Sequence, residues 1–189
     1  MQKKHIYYCP KCVEYEEQNQ IEPYIHRLHQ VEGVFICDKH KCKLKEFLDG
    51  MQSKIQVTYL NVKKIDHKID KYSDRITQNK LLKITEKVKY LLENDVSRYL
   101  NIDNVHEKYY LMLGQKRYIT VSGTIKQFKL EQDIIEYYGH NFLEILDSGI
   151  DINNEYNWIK VILRKTNRVV HPLRHILLID FLQEVLKIL

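Results

Sequence analysis

Apolar residues recur at helical spacing over most of the chain after residue 73. The clearest stretch follows a capping residue, Ser73 or Asp74, and is predicted to form an amphipathic helix that ends near Asn101. Lysines lie largely off its apolar face, which is typical of a solvated surface. The apolar face is made of Leu81, Ile84, Val88, Leu91, Leu92 and Tyr99.

Shorter helices separated by glycine-containing turns are predicted further along the chain, a succession that suits a helix-turn-helix-like arrangement. They cover residues 104–113, 124–138, 142–146 and 158–165. A last helix opens at His171-Pro172, with proline in its first turn, and residues 173–189 are apolar on nearly every side. We therefore expect this helix to be central to a core. It reaches the last residue without a cap, so we expect the chain to be part of a longer protein.

The first 50 residues follow a different pattern, with short apolar runs and a concentration of cysteines. Val34-Phe35-Ile36 is predicted to form a strand of a hairpin of the zinc-ribbon type. Residues 51–72 have mixed character, and alternation at Ile55, Val57 and Tyr59 fits a strand or an extended connection. The predicted organisation is a small module at 1–50, a connecting segment at 51–72 and a helical domain at 73–189. The expected fold is mainly α, with the small module packed on the helical domain.

The cysteine spacing predicts a metal site in that module. Cys9 and Cys12 are two residues apart in a CPxC turn, and Cys37 and His40 form a second pair with the same gap after a spacer of 24 residues. Two such pairs present three thiolates and one imidazole, which suits tetrahedral Zn²⁺. Four protein ligands leave no coordination position for water, so the predicted zinc is structural.

Two alternatives remain open for these residues. The fourth ligand is His40, or Cys42 takes its place in an all-cysteine site. The thiols could also be buried without a metal, or form a disulfide. His26 and His29 lie three residues apart, but four better ligands exist, so we expect these histidines to pack or form hydrogen bonds beside the site. The carboxylates of Glu14, Glu16 and Glu17 are predicted to lie on a solvated turn.

Composition limits the class of protein. The chain of 189 residues is 44% hydrophobic with only 6 Gly and 3 Pro, which is typical of a folded protein. Cysteines in metal-binding spacing, without a signal peptide, indicate the reducing cytoplasm. No uninterrupted apolar segment reaches the length of a membrane span, so no membrane partner is expected.

Charge is distributed unevenly along the chain. The formal net charge is +5, and residues 1–130 contain 24 basic and 16 acidic side chains. This excess permits contact with DNA phosphates without requiring it. Arg164, Lys165 and Arg168 follow a predicted helix, where cations either stabilise the carbonyl end of the helix or contact phosphate.

No catalytic motif is recognisable. The chain contains neither a GxxxxGK[ST] phosphate loop nor an HExxH motif, and no acidic pair stands out for metal-assisted chemistry. We therefore expect a protein that is not an enzyme.

Two separated motifs carry a resemblance to a known family. The first is CPxC at Cys9–Cys12 followed by YxHRxHQxxGVxxCxxHxxxL from Tyr24 to Leu44, and the second is HPLRHILLI from His171 to Ile179, after Trp158. Both motifs, in this order, resemble the TnsD/TniQ family of transposition target-selection proteins.

This resemblance implies a role for the chain. Proteins of this family recognise an attachment site or a guide complex and recruit the AAA+ ATPase of the transposon, of the TnsC/TniB type, without cutting or joining DNA themselves. The expected partners are therefore DNA and that ATPase. The competing expectation is a zinc-stabilised protein-interaction module that does not bind DNA.

Overall fold

The computed structural model describes residues 5–46, 74–94, 102–164 and 169–187, without the side chains of 102–104 and 184–187. Its elements divide into two compact units, Met1–Glu93 and Asn94–Leu189. The predicted mainly α fold is confirmed. The predicted boundaries at 50 and 72 and the alternation at 55–59 lie outside the described residues. None of the described helices is long and apolar enough to cross a membrane.

The N-terminal unit is built on a short pair of antiparallel strands and two α-helices. Strands β1 (Tyr7–Tyr8) and β2 (Lys45–Glu46) pair antiparallel, with Tyr7 opposite Glu46. Between them lie helix α1 (Pro10–Gln18) and a short 3₁₀ helix (Arg27–Gln30). The side chain of Gln30 extends the pairing, because its amide accepts a hydrogen bond from the Tyr7 nitrogen at 3.0 Å and donates to the Tyr7 oxygen at 2.6 Å.

Helix α2 (Arg75–Glu93) completes this unit. Asp74 caps it by accepting a hydrogen bond of 2.7 Å from the Thr77 nitrogen, as the sequence predicted. The helix was predicted to continue to Asn101, but it ends at Glu93. The helix lies in the same compact unit as the cysteine-containing segment.

The C-terminal unit contains five α-helices within the described residues. These are α3 (Ile102–Gln115), α4 (Gln127–Tyr138), α5 (His140–Ile145), α6 (Trp158–Leu163) and α7 (Pro172–Lys187). Helices α4 and α5 are separated only by Gly139, whose φ of +84° lies in the left-handed region that glycine tolerates. The predicted end of α3 at Gly114 is wrong, because Gly114 lies inside that helix.

The core of this unit lies around α7, as its apolar sequence predicted. Leu177 and Leu178 are fully buried, and the Tyr138 hydroxyl donates to the Leu177 oxygen or to Asp180 Oδ2, both at 2.8 Å. Phe128 on α4 is 60% exposed and lies outside this core. Further buried members are Leu113, Leu130, Ile134, Leu143, Ile159, Phe181 and Leu182.

The HPLRH motif connects α7 to the rest of its own unit. His171 Nδ1 accepts a hydrogen bond of 3.1 Å from the Leu173 nitrogen and so caps the helix. Arg174 donates to the oxygen of Asp147 at 3.0 Å, and His175 Nδ1 lies 2.8 Å from the Tyr109 hydroxyl. These polar residues of the motif therefore have structural partners within the unit.

Candidate metal centre

The first pair of candidate ligands lies at the start of α1. Cys9 is the N-cap residue and Pro10 is the first helical residue, where the missing N–H of proline costs nothing. The Cys9 oxygen accepts hydrogen bonds from the nitrogens of Cys12 and Val13 at 3.1 and 3.2 Å. This turn points both sulfur atoms towards the second pair, and both cysteines are buried.

The second pair of candidate ligands, Cys37 and His40, lies in a tight turn that two backbone hydrogen bonds close. The Cys37 nitrogen donates to the Cys42 oxygen at 2.8 Å, and the Lys41 nitrogen donates to the Cys37 oxygen at 3.0 Å. Ile36 and Lys43 form an isolated bridge. Of the strand predicted over residues 34–36, only this one bridge forms. The chain turns back directly after Cys37, and this turn brings His40 close to Cys37.

The four predicted ligands converge on one point. His40 Nδ1 lies 3.3, 3.5 and 3.8 Å from the sulfur atoms of Cys12, Cys9 and Cys37, and the Cys12 and Cys37 sulfurs are 3.7 Å apart. All four donor atoms lie within 4.8 Å of one another. Thiolates at about 2.3 Å from a tetrahedral Zn²⁺ would be about 3.8 Å apart. This cluster can therefore hold a metal ion, and its three sulfurs and one nitrogen suit zinc.

The electrostatics of these thiols would favour a bound cation. Burial raises the pKa of Cys12, with further contributions from the charges of Cys37 and Cys9. The pKa of Cys37 is raised by its hydrogen bond with Cys9 and by burial. Without a cation these buried thiols keep their protons, and a bound metal supplies the positive charge that stabilises thiolates.

Cys42 lies beside the cluster without belonging to the group of mutually close donors. Its sulfur is 3.4 Å from that of Cys9, and its side chain is half-buried. The hydrogen bond with Cys9 lowers the pKa of Cys42 to about 7, against the opposing effect of burial. The arrangement favours His40 over Cys42 as the fourth ligand.

Both histidines before the second pair lie beside the cluster, as expected. His26 Nε2 is 2.7 Å from Glu16 Oε1 and its ring stacks on Tyr24 with a centroid separation of 4.2 Å. His29 is buried and its side chain forms a hydrogen bond with Cys37, while Asp38 lies nearby. The group of His29, Cys37 and Asp38 offers only three donors and shares Cys37 with the four-ligand cluster.

Glu16 corrects the prediction of a solvated acidic turn. Residues 14–17 belong to α1, and Glu16 is only 5% exposed. It follows Cys12 by four residues, so both side chains lie on the same buried face of the helix. The four-residue spacing between Cys12 and Glu16 was the sequence feature that could have predicted the burial of Glu16. It was outweighed by the cluster of three glutamates, which is typical of a solvated turn.

Helix α2 supports the second pair of ligands through polar contacts that the sequence did not indicate. The buried Thr85 hydroxyl lies 3.2 Å from the Ile36 oxygen. Lys89 Nζ lies 2.8 Å from Asp38 Oδ2, the residue after Cys37. Burial acts to raise the pKa of Asp38, but the hydrogen bond and charge of Lys89 outweigh it and the pKa is lowered.

The predicted phosphate-contacting cluster is described only at Arg164. Lys165 and Arg168 lie outside the described residues. Arg164 is the C-cap residue of α6, and its guanidinium donates to the Glu155 oxygen at 3.0 Å and to Glu155 Oε2 at 2.9 Å. Its side chain is 45% exposed, so it combines a structural contact with access to solvent.

Two family models match the chain over different parts. The TniQ family matches residues 1–44, which contain the candidate metal centre. The TnsD family, described as Tn7-like transposition protein D, matches residues 84–188. No curated protein matches the chain.

Proposed function

Since the chain belongs to the TnsD family of Tn7-like transposition proteins and begins with a TniQ match, we propose that it selects target sites for transposition as an adaptor that is not an enzyme. The membership gives it a transposition-associated role. The observation that carries the finer proposal is the order of the two matches, with four converging ligands inside the first. In this role it links target DNA, or a targeting complex, to the AAA+ ATPase of the transposon.

The metal would have a structural role in this adaptor. Cys9, Cys12, Cys37 and His40 hold Zn²⁺ with no position left for water or substrate. The ion connects α1 to the turn before β2, and α2 contacts that turn. Zinc thereby fixes the shape of the N-terminal unit, since metal binding and folding are linked in small domains.

The proposal of DNA contact is supported by the positive charge of the chain and not by a recognisable DNA-binding site among the described residues. Residues 1–130 have an excess of basic side chains, and Arg164 remains accessible beside its Glu155 partner. Lys165 and Arg168 continue this proposed contact. Such contacts would position the protein on the backbone without reading sequence.

A second candidate function is a zinc-stabilised interaction module that does not itself bind DNA. The contact between Arg164 and Glu155 favours it, because an arginine already paired with a carboxylate gains less from a phosphate. Salt dependence separates the two functions, since each phosphate that the protein neutralises steepens the decrease of affinity with salt.

The test is co-purification of the chain with duplex DNA and with an AAA+ ATPase of a Tn7-like transposon, in parallel. Retention of both at low salt is the result expected for an adaptor. Retention of the ATPase alone would support the interaction module. Failure to retain the ATPase under any salt condition, with zinc bound, would contradict both.

A further inference from the structure

Cys42 is a thiol placed against the candidate metal centre but outside its ligand set. Its sulfur lies 3.4 Å from Cys9 Sγ, while the cluster of four donors is complete without it. We propose that Cys42 and Cys9 form an oxidisable pair, and that a disulfide between them removes one zinc ligand and releases the metal. This inference rests on the zinc centre proposed above.

Cys42 is the most solvent-exposed of the four cysteines, so an oxidant reaches it first. Cys9 and Cys37 are 0% exposed and Cys12 is 3% exposed, whereas Cys42 is half-buried. Oxidation of cysteine is selective for thiols that the oxidant can reach. A hydroperoxide therefore reacts at Cys42 before it reaches the buried ligands.

The backbone holds Cys42 in position for the second step. The Cys42 oxygen accepts a hydrogen bond of 2.8 Å from the Cys37 nitrogen, and the preceding residue, Lys41, has a φ of +53°. This turn keeps Cys42 at the edge of the site beside Cys9. The Cys12–Cys37 pair is also close, at 3.7 Å, but both residues are buried ligands.

The chemistry balances with a hydroperoxide as the two-electron oxidant. The Cys42 sulfur attacks the peroxide oxygen, the O–O bond breaks, and Cys42 becomes a sulfenic acid while the second oxygen leaves as water or an alcohol. The zinc-bound Cys9 thiolate then attacks Cys42 Sγ, its Zn–S bond and the S–O bond break, and the oxygen takes up a proton from solvent and leaves as water. The Cys42 thiol and the Cys9 thiolate lose two electrons in total, the Cys42 proton is released to the products, and the S–S bond forms.

Loss of Cys9 opens the closed site. Three ligands remain, and the disulfide sulfur is a poor ligand because thiolates bind zinc. Since folding and metal binding are linked at this size, the N-terminal unit loosens when zinc leaves. A reductant restores the two thiols and allows zinc to bind again.

The experiment treats the zinc-loaded chain with hydrogen peroxide. A chromogenic chelator follows metal release, and mass spectrometry of unreduced peptides maps disulfides. The wild type is expected to release zinc with formation of a Cys9–Cys42 disulfide, and thiol reduction should reverse both. The matched variant Cys42→Ser should retain zinc before treatment and release it at least about tenfold more slowly, because the accessible thiol is gone.

The outcomes separate this inference from the zinc centre itself. Equal release rates in the two proteins, or a disulfide that excludes Cys42, would overturn the oxidisable pair while leaving the zinc centre intact. A Cys42→Ser protein that fails to bind zinc would make Cys42 a ligand and overturn both the proposed ligand set and this inference. A wild type without zinc would also overturn both.

Discussion

The hydroxyl of Thr85 lies 3.2 Å from the carbonyl oxygen of Ile36, the residue immediately before Cys37. It also lies 3.0 Å from the Leu81 oxygen within its own helix, so its single proton is shared between two acceptors. Thr85 is fully buried. A buried contact of this kind fixes α2 against the turn that presents Cys37 and His40.

Thr85→Val should therefore weaken the attachment of α2 to the metal centre. Valine keeps the shape of the side chain but leaves the Ile36 oxygen without this donor, at a cost of about 1–2 kcal/mol. The rate of zinc transfer to a chelator should rise about 5- to 30-fold if transfer requires local opening, since about 1.4 kcal/mol corresponds to a factor of ten. Ile76→Val, at a position of the same helix that is 70% exposed, is the control and should leave the rate unchanged. Identical rates for Thr85→Val and the wild type would contradict this role.

Metal content tests the ligand set directly. The purified chain should contain about one equivalent of zinc, since one tetrahedral set is available. Cys12→Ser should lose the metal and loosen the N-terminal unit, whereas Cys42→Ser should keep it. A well-folded, metal-free wild type would refute the structural role of zinc.

The N-terminal segment and α2 should move as one body. Residues 5–46 are expected to share a rotational correlation time with 75–93 in NMR relaxation, because Thr85 and Lys89 connect the helix to the second ligand pair. Chelation of zinc should shift the resonances of α2 as well as those near the cysteines. Independent tumbling of the two segments in the zinc-loaded protein would contradict this packing.

Acidification should destabilise the C-terminal unit through His175. Burial lowers the pKa of His175, and the charge of His106 lowers it further. The folded state therefore binds this proton less readily than the unfolded state, so the stabilising contribution is complete above the unfolded pKa of about 6.5 and is lost as pH falls below it. Denaturant unfolding followed by fluorescence of Trp158, the one tryptophan of the chain, reports on this unit.

The matched variants for this measurement are at His175 and His140. His175→Asn should make the stability of the unit less dependent on pH between 7 and about 5. His140→Gln should retain the dependence of the wild type, because His140 is exposed at the start of α5. A steep dependence that persists in His175→Asn would assign the effect to another group.

Charge reversal at Arg164 tests the proposed DNA surface. Arg164→Glu should weaken binding to unrelated duplexes alike and reduce the slope of log affinity against log salt by about 0.9 for each phosphate that the variant no longer neutralises. Thermal unfolding of the same variant controls for removal of the ion pair between Arg164 and Glu155. A change confined to one DNA sequence would contradict a backbone role.

The sequence by itself determined the features that depend on local spacing. Cys9, Cys12, Cys37 and His40 could be recognised because the geometry of each pair is set by a two-residue gap within one turn. The cap at Asp74 and the buried last helix were also predicted, since capping and apolar content act over a few neighbouring residues. The two motifs that resemble the family lie in the regions that the family models match.

Only the tertiary structure decided the relationships between distant segments. Glu16 is buried against His26, although its cluster of acidic residues predicted a solvated turn. Lys89 remains partly exposed, but it pairs with Asp38 across 51 positions of the chain, a partner that the sequence did not indicate. The placement of α2 in one compact unit with the cysteine-containing segment also depends on contacts between distant parts of the chain. Helical periodicity identifies the face that is buried but not the segment that covers it, because the burial of apolar surface is non-directional and the partner depends on how the whole chain folds.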